Sequence, residues 1–169
     1  MIIALANISE LTAIFDIYIE CKKSMDLSGI FQWTELYPDK SVIERDIESR
    51  ELFTIKENDV ILGAIVINKD EDPQYHKVNW KDNLGPTIII HRLAIHPLHQ
   101  NKGLAKGLMK YAEDLAHGNK IRSIRLDAYS GNPAAIRLYE NLHYEKRGEL
   151  YFREIFIPFY CYEKMLPMV

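Results

Sequence analysis

Residues 83–112 contain no aspartate or glutamate, yet they hold Arg92, Lys102, Lys106 and Lys110 and three histidines, His91, His96 and His99. Acidic residues number 24 in a chain of 169, so a window of this size should carry about four. Such a one-sided segment favours an anion. An apolar run ends at Ile95, Pro97 breaks it, and a helical periodicity starts near Lys102. A helix N-terminus presents open N–H groups and about half a positive charge. Lys102 and Lys106 oppose that dipole, which calls for a compensating negative group. Gly103 and Ala105 let a ligand approach the backbone. A phosphate or pyrophosphate suits this place, although a solvated lysine face would give the same composition. The Walker pattern is absent, because Gly103 and Gly107 stand too close together, and G-x-G-x-x-G is absent too. No two histidines have metal-ligand spacing, so no metal is expected.

The elements around this segment follow from period and punctuation. Residues 2–6 read as a strand, then Ser9 as the N-cap of a helix with Leu11, Ile14, Phe15 and Tyr18 on one face. A second helical patch is expected over 30–37, ended by Pro38. Ser41-Val42-Ile43-Glu44 reads as a capping box for a helix to about Arg50. Residues 52–56 and 60–67 form a hairpin around Asn58-Asp59. Residues 68–86 are polar and long for a loop inside a compact domain; such a loop is either functional or a surface excursion. Residues 87–95 are apolar on both faces, as in a central strand. Leu104, Leu108, Tyr111, Ala112 and Leu115 line one helix face up to Gly118. Strand 123–128 follows. Asn132 caps a helix with Pro133 at its first position, running to about Leu142. Strands 145–152 and 157–164 close an α/β (α+β) fold.

Composition narrows the class. A chain of 169 residues, 47% hydrophobic and 27% charged, suits a single globular domain over 1–169 that buries roughly 70% of its unfolded surface. The net charge of −3 gives no basic excess for nucleic acid. The longest apolar runs, such as Ile88-Ile89-Ile90, are too short to span a membrane. The N-terminus has no signal-peptide pattern. Cys21 and Cys161 fit a reduced, cytoplasmic protein.

Two motifs carry a family resemblance. Gln100-Asn101-Lys102-Gly103-Leu104-Ala105, preceded by Arg92-Leu93-Ala94-Ile95-His96-Pro97, resembles the [QR]-x-x-G-x-[GA] motif of the GNAT superfamily of acetyl-CoA-dependent N-acetyltransferases. Asn132 through Glu140, NPAAIRLYE, resembles the N-x-x-A-x-x-x-Y segment of the same superfamily. The resemblance covers residues 52–144 well and reaches the ends more loosely. One departure is His143-Tyr144, where the family usually has glycine before the aromatic. A left-handed non-glycine residue there costs roughly 1 kcal/mol.

The resemblance, to a bacterial-type member, implies a mixed, mostly antiparallel sheet of about seven strands, flanked by about four helices and splayed at the central strand. It implies acetyl-CoA as co-substrate. Leu93, Ala94 and Ile95 would pair with the pantetheine arm. The amides of Gln100, Asn101, Lys102, Gly103, Leu104, Ala105 and Lys106 would hold the pyrophosphate, with Asn132 and Ala135 on the cofactor's other side. Tyr139 matches the family's general acid; packing in the core would also suit its position. A phenol with pKa near ~10 is protonated at pH 7 and can donate to a departing thiolate. The amine arrives as ammonium, so a base is needed. His91 is the leading candidate, since the arylalkylamine acetyltransferases have histidine at a similar offset; water relays to Glu35 or Asp127 are rivals. Trp33, Glu35 and Tyr37, and Glu71, Asp72, Tyr75 and Trp80, form aromatic-acidic clusters that suit a cationic amine, or equally core aromatics beside solvated acids. No cysteine stands at a nucleophile position, so direct attack is expected. The expected acceptor is a small-molecule amine; a protein amine, or a non-catalytic acyl-CoA-binding module, is the alternative. A homodimer is compatible with all of these.

Overall fold

The structure, a computed structural model, describes residues 1–152 and 155–167. The strands are β1 (Ile2–Leu5), β2 (Leu52–Glu57), β3 (Val60–Asn68), β4 (Thr87–Ile95), β5 (Ser123–Tyr129), β6 (Glu145–Leu150) and β7 (Phe159–Met165). The helices are α1 (Leu11–Leu27), α2 (Lys40–Glu48), α3 (Leu104–Gly118) and α4 (Pro133–Asn141). The strands follow the order β1-β2-β3-β4-β5-β7-β6 in a seven-stranded sheet. β4 and β5 pair in parallel, as a strand–helix–strand crossover through α3 requires. The other recorded pairs are antiparallel. This is the mixed α/β fold that the motif resemblance implies.

The chain divides into two compact units, Met1–Ile67 with Arg92–Tyr111, and Asn68–His91 with Ala112–Val169. In the first, α1 and α2 bury Ile14, Ile17, Tyr18, Ile43 and Ile47 against Leu52, Ala64 and Val66. Removing that apolar surface from water stabilises each large side chain by roughly 1.5–3 kcal/mol. α1 is entered through a 3₁₀ turn, Ile8–Glu10, that carries a capping box at Asn7: Asn7 Oδ1 accepts from Ser9 N–H at 3.0 Å, and Glu10 Oε2 from Asn7 N–H at 2.9 Å. Asp39, rather than Ser41, caps α2 by accepting from Val42 N–H at 2.9 Å; the Ser41 hydroxyl donates to the same carboxylate. In both cases the oxygen of an Asn or Asp side chain two residues earlier has won, because it reaches the open N–H from the extended residue just before the first turn. Residues 30–37 are not helical. Thr34 and Tyr37 instead exchange backbone hydrogen bonds across a turn. Gly29, at φ 73°, has already terminated α1, and so short a segment cannot recover helix nucleation.

In the second unit, residues 68–86 are no surface excursion. Asp72 caps a 3₁₀ helix over Pro73–Lys77, and Tyr75, Val78 and Trp80 pack with Ile89, Leu150 and Cys161 as its core. His143 ends α4 at φ 63°, with Tyr144 N–H donating to Tyr139 C=O at 3.0 Å. The family's glycine position is therefore left-handed here as well, held by a histidine. β6 ends at Leu150, two residues before the pattern, while β7 starts at Phe159, two residues after it, and ends at Met165, one residue beyond.

Gly63 lies where β3 meets the end of β4. A Cβ there would stand 2.6 Å from the Ala94 carbonyl oxygen and 2.5 Å from Ile95 Cδ1. The isoleucine tip can turn away, but the carbonyl is fixed backbone. Gly63→Ala should therefore cost roughly 1–3 kcal/mol of stability, the usual range for overpacking, read as a lowered midpoint in urea unfolding.

Candidate active site

β4 ends at Ile95, and Pro97–His99 forms a 3₁₀ turn in which His96 Nδ1 accepts from Leu98 N–H at 3.3 Å. Gln100 braces this turn. Its side-chain amide donates to Ile95 C=O at 3.1 Å, and its own N–H is directed at Pro97 C=O at 3.4 Å. Asn101 and Gly103 then take left-handed backbones, at φ 61° and 79°. These turns aim the chain into α3, whose first recorded backbone bond runs from Gly107 N–H to Gly103 C=O at 2.9 Å. The amides of Gly103, Leu104, Ala105 and Lys106 are thus those a helix start leaves open. Buried Leu104 anchors the turn, while Lys102 and Lys106 are exposed and no acidic residue stands in the first turn. Nothing lies within 4 Å of a Cβ built on Gly103, so space opens over the backbone. A cradle of this kind accepts a phosphate.

The strand feeding the cradle is bent on purpose. Arg92, in the middle of β4, has φ 50°. A left-handed non-glycine residue costs about 1–2 kcal/mol, so something must hold it. Its guanidinium donates twice to Asp46 of α2, at 2.9 and 2.7 Å, and once to the Tyr37 hydroxyl at 2.7 Å. Its carbonyl accepts from the Tyr18 hydroxyl of α1 at 2.8 Å. Asp46 is only 3% exposed. Below the bend, the Cys21 thiol donates to Ile95 C=O at 3.1 Å. Leu93, Ala94 and Ile95 are therefore positioned by two helices. Trp33, Glu35 and Tyr37 do not form one wall. Trp33 packs beside Tyr18 at 5.4 Å between ring centres, Glu35 pairs with Lys22 at 2.7 Å with its side chain 87% exposed, and Tyr37 belongs to the Arg92 clamp.

The second unit carries the remaining candidates. Asn132 caps α4 by accepting from Ala135 N–H at 3.1 Å, so this pair of motif residues fixes the helix start. Tyr139 is 7% exposed, with its ring 6.1 Å from those of both Tyr144 and Tyr162. Burial, and then the charge of Asp127, push its phenol well above the ordinary tyrosine value. His91 Nε2 lies 3.1 Å from Asp70 C=O. A carbonyl only accepts, so Nε2 carries the hydrogen and Nδ1 is the basic atom of the neutral ring. Tyr75 and Trp80 are interior, at 1% and 5% exposure. They wall a cleft of about 640 Å³ with Glu71, Asp72, Asp82 and Arg125. Its charges are largely committed: Arg125 pairs with Glu71 at 2.6 Å and stacks 4.5 Å over Trp80, and Asp82 pairs with Arg122 at 3.0 Å.

With this geometry in place, comparison with known proteins decides the family. The profile described as Acetyltransferase (GNAT) family matches residues 11–144. The chain belongs to this family. A GNAT relative in Bacillus subtilis (strain 168), the uncharacterized N-acetyltransferase YesJ, is 27% identical over 123 residues, covering 71% of this chain and 68% of YesJ. The solved GNAT-family acetyltransferase of Streptococcus agalactiae 2603 superposes with a TM-score of 0.85 at 21% identity, covering 98% of this chain and 95% of its own. The Salmonella typhimurium protein yncA, solved with its cofactor acetyl-CoA, gives a TM-score of 0.74 at 19% identity, covering 100% of this chain and 95% of its own.

Among the described residues of this GNAT acetyltransferase, no three His, Cys, Asp or Glu side chains are grouped to hold a metal ion, and no helix is long and apolar enough to cross a membrane. Burial pushes the Cys21 and Cys161 thiols up to about 12, so neither is a ready nucleophile. Composition did not single out Asp46 or Tyr18. The available signal was Arg92 itself, a charge inside an apolar central strand, which demands a buried partner. Removing one partner of a buried pair leaves an uncompensated charge and costs roughly 3–5 kcal/mol. Asp46→Asn should lose stability on that scale in chemical denaturation, whereas Glu35→Gln, at the exposed Lys22 pair, should change it by less than about 1 kcal/mol.

Proposed function

We propose that this chain transfers the acetyl group of acetyl-CoA to a primary amine by direct attack. The observation that carries the reading is the open helix start of α3, placed by left-handed Asn101 and Gly103 directly after the clamped end of β4. These residues fit the co-substrate. The amides of Gly103 through Lys106 would take the pyrophosphate, with Lys102 and Lys106 supplying charge, and the backbone of Leu93 to Ile95 would pair with the peptide-like arm. Asn101 and Gln100 shape the loop around them. Asn132 and Ala135 hold the start of the helix that carries Tyr139.

The proton balance assigns the other two roles. His91 stands just past the last β4–β5 pair, Ile90↔Leu126, so an ammonium lodged at that opening would give one proton to its Nδ1, which passes it to solvent. The freed nitrogen attacks the thioester carbonyl carbon, the C–S bond breaks, and the sulfur takes the phenolic proton of Tyr139. The second proton of the attacking nitrogen restores the phenol. The net products are an amide, free CoA thiol and one proton. The raised Tyr139 suits an acid that must stay protonated. The two buried thiols fit a reducing cytoplasm.

Acetyl-CoA-dependent release of free thiol against pooled polyamines, arylalkylamines, aminoglycosides, amino acids and a short peptide tests the reaction. Release in at least one pool is expected; failure of acetyl-CoA to bind in calorimetry would overturn the reading. Tyr139→Phe should lower kcat by about 10²-fold or more while leaving the Kd for acetyl-CoA unchanged. Because Tyr139 is shifted upward, its protonated form persists as pH rises. Wild-type kcat should therefore show no tyrosine-dependent fall up to about pH 10. Its acidic limb should disappear or move in His91→Gln.

A further inference from the structure

Tyr18 and Cys21 stand three residues apart on α1, one above the other on its buried face. Both donate to the backbone of β4. The Tyr18 hydroxyl donates to the Arg92 carbonyl at 2.8 Å, and the Cys21 thiol donates to the Ile95 carbonyl at 3.1 Å. The two carbonyls are also three residues apart, and Leu93 and Ala94 lie between them. Elsewhere on this helix face the contacts are apolar: Ile14 and Ile17 pack with Leu52, Ala64 and Val66. Those contacts seat the helix, and the two polar ones set which way the β4 backbone turns. Burial pushes the Tyr18 phenol far above its ordinary value, so it stays a donor across the working pH range.

The ladders of β4 explain why these donors are needed. Its pairing with β5 runs from Thr87↔Ser123 to Ile90↔Leu126. Further along, His96 N–H donates to Leu62 C=O at 2.9 Å, and the Ala94 carbonyl oxygen lies 2.6 Å from the place of a Cβ on Gly63. Ala94 and His96 thus turn their peptide groups to β3. Peptide groups alternate in direction along a strand, so those of Leu93 and Ile95 turn to the side away from β3. The bend at Arg92, φ 50°, leads into this stretch. Buried carbonyls need donors, and past Ile90 α1 supplies them to Arg92 and Ile95.

We propose that Tyr18 and Cys21 are positioning residues for the half of acetyl-CoA that carries the thioester: by fixing the Arg92 and Ile95 carbonyls they set the edge of Leu93 to Ile95 against which the peptide-like arm lies. This rests on the acetyl-CoA reading above. Both residues act through the strand. The nucleotide phosphates belong to the start of α3, whose placement follows from the bend and its Arg92–Asp46 pair at 2.7 Å.

The test is the split between whole and half ligand. Calorimetry compares acetyl-CoA with adenosine 3′,5′-bisphosphate, which has the nucleotide end and no arm, in wild type, Tyr18→Phe, Cys21→Ala and Cys21→Ser. Tyr18→Phe keeps the ring beside Trp33 and keeps the Arg92–Asp46 pair, so the bend and the start of α3 should persist. Its Kd for acetyl-CoA should rise about fivefold or more, the scale of one net hydrogen bond, with the Kd for the bisphosphate unchanged. Cys21→Ala should move acetyl-CoA the same way by less, because the Gln100 side-chain amide still donates to Ile95 C=O. Cys21→Ser, whose hydroxyl can donate, should recover part of that loss. The two Cys21 variants carry the same test if Tyr18→Phe does not fold. An unchanged Kd for acetyl-CoA in the folded variants, or equal weakening of acetyl-CoA and the bisphosphate, would overturn the proposal and leave the acetyl-CoA reading standing. Wild type that binds no acetyl-CoA would overturn that reading and this proposal with it.

Discussion

The Arg92 clamp is the interaction on which the first unit's chemistry depends. A left-handed residue in mid-strand is unfavourable alone, and so is a guanidinium withdrawn from water. Asp46, Tyr37 and Tyr18 offset both together, through two side chains from helices and one from the turn between them. The bend sets the direction of Leu93, Ala94 and Ile95. That direction sets where the Pro97–His99 turn and the glycine-led start of α3 fall. The open start of α3 thus inherits its position from the Arg92–Asp46 ion pair.

The second unit solves a different problem. Its polar segment 68–86 becomes a cover by burying Tyr75, Val78 and Trp80 and by committing its charges to arginines. Glu163, fully buried at its side chain, receives Arg125, Arg147 and the Lys81 amide. Such a network of buried ion pairs rigidifies the sheet face beneath it. His91 and Asp127 sit at the edge of this rigid zone, where segment 68–86 reaches them through the Asp70 carbonyl and the Tyr75 hydroxyl. Tyr139 is fixed separately, by aromatic packing.

Much of the architecture was legible locally. Asn132-Pro133 announced α4, and the Leu104–Leu108–Tyr111 stripe announced α3. The errors were also local. Asn7 and Asp39 outcompeted Ser9 and Ser41 as caps, because several residues with similar capping chemistry stood within one turn of each other, and 30–37 stayed non-helical after Gly29 had ended α1. The grouping of Trp33 with Glu35 and Tyr37 failed for a related reason. Closeness in sequence says nothing of direction, and a turn sends consecutive side chains to a core, a lysine and an arginine.

Residue type and spacing were enough to specify strands, helices, the left-handed position filled by His143 and the open helix start, because each follows from interactions within a few residues. They could not specify that Asp46 would answer Arg92, that Tyr75 would hold Asp127, or that Tyr18 and Cys21 would meet the Arg92 and Ile95 carbonyls. Those facts depend on strand register and on contacts across tens of residues. A shift of one residue in register would exchange the faces, and no local preference records which register the assembled core selects.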